Sequence, residues 1–221
     1  MRIYLKITEN TSIVPFDYQH LLLGTFHKWL GNNELHDEIS LYSFGWLSGA
    51  EMSKEGFNFK QSAGWFISFV NPSVGEKLIF AIREMPELFN GMEVREIFIE
   101  REPQFGNEER FQLDSPILIR DYIMTNDKRR AVHLKYDDKK ADELMTATLN
   151  RKLKKAGLNY SAQVMFDRNY RNAKTKLVTI NGIKNKANFC PVIIKGTPEA
   201  IAFAWNVGIG HSTGSGFGAL K

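Results

Sequence analysis

Apolar residues in the first hundred positions switch repeatedly between a period of two and the period of a helix, which restricts the chain to a mixed architecture. Ile3, Leu5 and Ile7 alternate with Arg2, Tyr4 and Lys6, the pattern of a half-buried strand over Arg2 to Thr8. Pro15 and Asp17 then set up a helix from about Asp17 to Gly31, with Asp17 as its expected N-cap and Leu22, Phe26, Trp29 and Leu30 as its apolar stripe. Leu41 to Leu47 and Trp65 to Val70 are aromatic and β-branched, as strands are. Both faces of the second are apolar, so it reads as a core strand rather than an RNA-stacking one. A helix over Val74 to Met85 and a strand over Val94 to Glu100 complete the order βαββαβ.

That order is the ferredoxin-like (RRM-like) motif. The second half admits the same reading. Ile117 to Asp121 and Val132 to Lys135 are short strand candidates, and Lys139 to Ala156 is a helix stopped by Gly157. Tyr160 to Phe166, Leu177 to Ile180 and Phe189 to Ile194 are strands, Pro198 to Asn206 a helix and Phe217 to Leu220 a last strand. The expectation is an α+β protein of tandem ferredoxin-like domains, residues 1–105 and 113–221, joined near Glu102 to Leu113 and carrying a C-terminal glycine-rich loop at 208–218. A chain of 221 residues is long enough for two such cores.

Charge is distributed unevenly between the halves. Arg120 to Lys195 holds 18 Lys and Arg against 7 Asp and Glu, a net of +11, while the rest of the chain nets −7. A Lys-rich solvated face would show the same count, but a block this basic also suits a polyanion such as RNA or DNA. Along the helix from Lys139, Ala141, Met145, Leu149, Leu153 and Ala156 share one arc. Arg151, Lys154 and Lys155 lie opposite, and Lys152 borders the apolar arc, where it could snorkel to solvent. Lys128, Arg129 and Arg130 add three cations in an expected loop. The single cysteine, Cys190, excludes a disulfide framework and a CxxC zinc site. With no long apolar run and no signal-peptide core in MRIYLKITEN, the expectation is a soluble cytoplasmic protein without membrane contact.

The tail is the most distinctive segment: Gly208-Ile209-Gly210-His211-Ser212-Thr213-Gly214-Ser215-Gly216-Phe217-Gly218. Its glycines let backbone N–H groups converge on an anion, and its hydroxyls and His211 add donors. It is neither a P-loop, lacking a Lys-Ser/Thr pair that opens a helix, nor a dinucleotide fingerprint, which follows a first strand. Gly210, His211, Ser212, Ser215 and Gly216 are its expected RNA contacts, with Lys128, Arg129, Arg130, Arg151, Lys154 and Lys155 on the basic block.

The tail spacing resembles the C-terminal signature of the CRISPR-associated repeat-processing endoribonucleases of the RAMP superfamily. Val14-Pro15 before the first helix, Leu113-Asp114-Ser115-Pro116-Ile117 in mid-chain, and Gly196-Thr197-Pro198-Glu199 through Phe203 also resemble that family. The resemblance implies tandem ferredoxin-like domains, a bound repeat RNA and metal-independent cleavage to guide RNAs. It leaves a CRISPR effector complex and a homodimer open as assemblies. It also places a catalytic histidine in the first helix or just after it. His27 matches the former position and His36 the latter, as general base or acid and its counterpart. Histidine suits such work because its ordinary pKa of about 6.5 keeps both protonation states accessible.

On the helix, His20, Gly24, His27 and Gly31 form an open strip opposite much of the apolar stripe. His133 reads as structural or RNA-contacting. Many members of the family supply a tyrosine and a lysine near the scissile phosphate. Tyr42 is the tyrosine candidate, but His36 to Leu47 contains no lysine, so Lys28 or Lys54 would have to reach in. The acidic pairs Asp37-Glu38, Glu108-Glu109, Asp137-Asp138 and Asp142-Glu143 show no recurrent ligand spacing, and no metal or cofactor is expected. Two rival readings share the fold and the charge: a non-catalytic RAMP subunit that holds guide RNA, and a general RNA-binding module of paired RRM-like units.

Overall fold

A computed structural model describes residues 1–31, 39–125, 128–180 and 182–221. The first lobe runs β1 (Arg2–Ile7), α1 (Gln19–Leu30), β2 (Tyr42–Phe44), β3 (Glu51–Met52), β4 (Phe57–Asn58), β5 (Ala63–Phe69), α2 (Pro72–Glu84) and β6 (Val94–Glu100). Its antiparallel sheet has the order β2-β5-β1-β6, and β3 and β4 form a small hairpin inserted before β5. Removing the hairpin leaves the ferredoxin-like arrangement. Ile3, Leu5 and Ile7 of β1 share one core with Leu22, Phe26 and Trp29 of α1 and Leu78 and Ile82 of α2. Each such side chain contributes about 1.5–3 kcal/mol on burial.

Two helix starts differ from the sequence expectation. The N-cap of α1 is Tyr18, not Asp17, and makes no side-chain cap bond. The helix begins there because Tyr18 O already accepts from the N–H groups of Leu21 and Leu22. Asp17 instead offers its carbonyl to His20 Nδ1 at 2.7 Å. α2 starts two residues earlier than expected, because the Asn71 side chain accepts from Ser73 N and Pro72 occupies the first turn.

The second lobe runs β7 (Glu108–Phe111), β8 (Arg120–Thr125), β9 (Lys128–His133), α3 (Lys139–Lys155), β10 (Ala162–Phe166), β11 (Lys174–Ile180), β12 (Ile183–Phe189), β13 (Val192–Gly196) and α4 (Pro198–Val207). Its sheet has the order β10-β13-β7. The chain end adds one rung beyond β7 through the antiparallel bridge of Leu113 with Leu220. The ferredoxin-like order therefore recurs, with two hairpins inserted, β8–β9 and β11–β12.

Several elements depart from expectation here. The presumed joining stretch contains β7, which pairs with β13. Ile117 and Leu118 form single bridges to Asn188 and His211 instead of a strand. Lys128, Arg129 and Arg130 lie in β9, because they pair with Thr125, Met124 and Ile123 of β8. The segment Phe189 to Ile194 is split between β12 and β13, and Phe217 to Leu220 supplies one bridge rather than a strand. Among the described residues no helix is long and apolar enough to cross a membrane.

The two lobes meet on the face of the first sheet that its helices do not cover. β5 is therefore buried along its whole length, with Trp65, Ile67 and Phe69 in the first core and Phe66 and Ser68 facing the other way. Arg2 crosses that junction, only 3% exposed. It donates to Ser68 Oγ at 2.7 Å, and to Trp205 O and Leu220 O at 2.9 Å each. Its guanidinium lies 3.5 Å from the Trp205 ring centre and 4.1 Å from that of Phe66. Burial pulls its pKa down to about 10, against the opposing charges of Glu100 and Asp114.

Candidate nucleic-acid interface

The glycine tail is lodged between the lobes. Trp46 Nε1 donates to Gly216 O at 2.9 Å, Ser43 Oγ to Asn206 O at 2.8 Å, and Thr213 Oγ1 to Tyr42 O at 3.2 Å. The close approach explains the residue type. A Cβ on Gly214 would collide with Ser40 Oγ and the Tyr42 hydroxyl, and one on Gly218 with the carbonyl of Ile209. Gly218 also sits at φ 65°, a left-handed conformation that glycine adopts without penalty. Ile209 and Phe217 are buried and anchor the segment at both flanks.

Between tail and α3 opens a pocket of about 270 Å³. Arg151 and Lys152 line it from α3, His211, Ser212 and Ser215 from the tail, and Ser40 from the first lobe. His211 is held by two backbone contacts: its N–H donates to Leu118 O at 2.8 Å, and its Nδ1 accepts from Arg120 N at 3.3 Å. Burial, then the charge of Arg120, lowers its pKa, so the ring is neutral at pH 7 with its proton assigned to Nε2. Neutral donors, a guanidinium and an ammonium converging on one pocket make an anion site.

A larger cleft of about 830 Å³ lies between Trp46 of the first lobe and the β11–β12 side of the second. Lys174 and Lys176 line it, and the Lys176 ammonium sits 4.8 Å from the Trp46 ring centre. Burial there lowers the pKa of Lys176.

The expected site residues separate into groups. His27 is half-buried on α1; its ring lies 5.5 Å from that of Phe26, which in turn lies 5.0 Å from the Tyr42 ring. His36 lies outside the described residues. Tyr42 is 4% exposed; burial raises its pKa and a hydrogen bond with Ser40 opposes the shift. The buried phenol supports the tail rather than facing solvent. Lys28, one of the lysines expected to reach in, donates instead to Glu87 O at 2.7 Å.

Of the helical cations, Arg151, Lys154 and Lys155 are exposed, and Arg151 lines the pocket. Lys128, Arg129 and Arg130 are exposed on the β8–β9 hairpin, with the Arg129 guanidinium 3.9 Å from the Tyr122 ring centre. Gly210 and Gly216 are buried, while His211, Ser212 and Ser215 are half-buried at the pocket. His133 Nδ1 accepts from Lys186 N at 3.3 Å, a structural contact between β9 and β12. The expected contacts omit Lys152, Thr213 and Ser40. The signals for the first two are the place of Lys152 at the border of the apolar arc and that of Thr213 among the tail's hydroxyl donors.

A model of the family described as CRISPR associated protein Cas6, C-terminal, matches residues 100–221, more than half of the chain. The chain belongs to the Cas6 family. Three solved structures share its fold from end to end. A Cas6-related protein of Pyrococcus furiosus superposes with a TM-score of 0.88 at 19% identity, covering 100% of this chain and 97% of its own. A RAMP protein that binds different RNA substrates gives 0.85 at 19% identity, over 100% and 98%. A Cas6 product complex gives 0.69 at 14% identity, over 99% and 98%. No curated protein sequence matches it. Tandem ferredoxin-like lobes are thus the Cas6 fold, and the glycine tail falls within the matched residues 100–221.

Proposed function

We propose that this Cas6-family chain is a metal-independent endoribonuclease that cuts CRISPR repeat RNA into guide RNAs. The observation that carries the proposal is the pocket itself. The buried glycine tail delivers donors and α3 delivers cations to a site whose wall from the first lobe, Ser40, follows the segment leaving the histidine-bearing helix. Lobes close to residues 1–105 and 113–221, with β7 added to the second, bind the RNA backbone along the basic second lobe and the Trp46–Lys176 cleft. Electrostatics supply most of the affinity, which falls steeply with salt.

In the reaction, the ribose 2′-oxygen attacks the adjacent phosphorus and the bond from phosphorus to the 5′-oxygen breaks. One imidazole takes the 2′ proton and another donates a proton to the departing oxygen, giving a 2′,3′-cyclic phosphate and a 5′-hydroxyl. His27 is one of these groups and His36 the other, while the pocket cations steady charge on the phosphorane. Incubation of repeat RNA with the protein in EDTA tests this. Specific cleavage should vanish in His27→Ala or His36→Ala, and with a 2′-deoxy residue at the cut site.

The burial of Tyr42 favours one alternative, a guide-RNA-binding subunit without catalysis. Tight binding with the RNA left intact in the same assay would establish it.

A further inference from the structure

Lys152 is only 3% exposed, although it sits on a helix whose neighbouring cations face solvent. Its Nζ donates to Val207 O at 2.8 Å and to Thr213 Oγ1 at 2.7 Å. An ammonium has three N–H bonds, so one donor remains beyond these two acceptors. Among the described residues no carboxylate forms an ion pair with it.

Arg151 stands beside it on α3, neutral His211 lies across the pocket with Arg120 of β8 behind it, and from β2 the backbone carbonyl of Tyr42 accepts from the Thr213 hydroxyl that the lysine binds. A buried cation among cations is unfavourable unless an anion joins it. Burial, with a further push from Arg151, lowers the lysine pKa to about 7.

We propose that the pocket between α3 and the glycine tail is a subsite for one RNA phosphodiester, and that Lys152 is the buried cation whose charge that phosphate balances. The third N–H of Lys152, the Arg151 guanidinium, the hydroxyls of Ser212 and Ser215 and Nε2–H of His211 are its donors. The inference rests on the RNA-binding reading above and adds to it a proton. A bound phosphate keeps Lys152 protonated, so above pH 7 binding must draw a proton from solvent. Affinity then falls by up to about tenfold per pH unit. Arginine stays charged and His211 is already neutral, so among the described lining residues Lys152 is the group that changes between pH 7 and 8.5.

Calorimetry with 2′-O-methyl pentaadenylate lacking terminal phosphates tests this, because that probe is uncleavable and does not itself titrate in the range. At constant ionic strength, wild-type affinity should fall approaching tenfold between pH 7.5 and 8.5. Two buffers of different ionisation enthalpy should report uptake of nearly one proton at pH 8. Lys152→Arg should bind with a flat pH profile and no proton uptake. Lys152→Met should bind weakly at every pH, with a salt slope shallower by about 0.7. A flat wild-type profile without proton uptake overturns the inference and leaves the RNA reading standing. No binding by the wild type at any pH sinks the RNA reading, and this inference with it.

Discussion

Gly218→Ala separates the two reasons for glycine in the tail. Gly218 has φ 65° and Gly157, just past α3, has φ 73°, so alanine at either meets the same left-handed strain. That strain is about 1–2 kcal/mol, reduced by about 0.4–1 because alanine also restricts the unfolded chain. At Gly157 nothing lies within 4 Å of the added Cβ, and the strain is the whole effect. At Gly218 the Cβ would overlap the backbone carbonyl of Ile209, which no rotamer change can relieve and which must shift with the backbone around it. Overpacking of that kind adds about 1–3 kcal/mol. Gly157→Ala should therefore cost about 1 kcal/mol and Gly218→Ala about 2–4. For a chain of this length the difference is a further drop in Tm of about 2–12 °C. Urea unfolding and thermal melts at one pH measure both variants. Equal losses would refute the claim that Gly218 is required by close backbone packing within the tail.

Four other outcomes are expected. Gly24 lies exposed within α1 with nothing within 4 Å of its Cβ position, so Gly24→Ala should stabilise the protein by about 0.5–1 kcal/mol in a urea titration. Arg2→Met leaves Ser68 Oγ, Trp205 O and Leu220 O without their donor and should cost about 2–4 kcal/mol, read as a lowered urea midpoint. The buried Cys190 thiol, pushed up to about 11 by burial and then by Asp167, should resist iodoacetamide at pH 8 in the native protein and react in urea. The folded-state pKa of Lys152, about 7 against an ordinary 10.5, means the unfolded chain binds more protons between those values. The lysine's contribution to stability therefore rises with pH across that window, and Lys152→Met should flatten the rise in a series of urea titrations.

Local periodicity was enough for the four expected helices and for β1, β6 and β10, because each has one apolar face whose spacing matches its backbone repeat, while β5 is legible as a continuous apolar run. It could not find the short hairpin β3–β4, whose two-residue strands carry no period. It also placed Lys128 to Arg130 in a loop, because a solvated hairpin strand of cations has no apolar face to register. At the site, the tail could be recognised from composition, and its neighbours Arg151, His211, Ser212 and Ser215 do converge on one pocket. The purpose of its glycines was read as exposure to a ligand, whereas Gly210 and Gly216 are buried.

By itself, then, the order of residues determined the two ferredoxin-like units, the basic block and the glycine tail, since each depends on near neighbours along the chain. Only the tertiary structure decided what the polar sides of those elements meet. Arg2 alternates onto the outer face of β1, and that face is covered when the second lobe docks. Lys152 borders an apolar arc, and the tail closes over it from Thr213. Gly216 meets Trp46 across 170 positions. Periodicity reports which side of an element is apolar; what comes to lie against the other side is set by long-range packing, and the candidate site is built there.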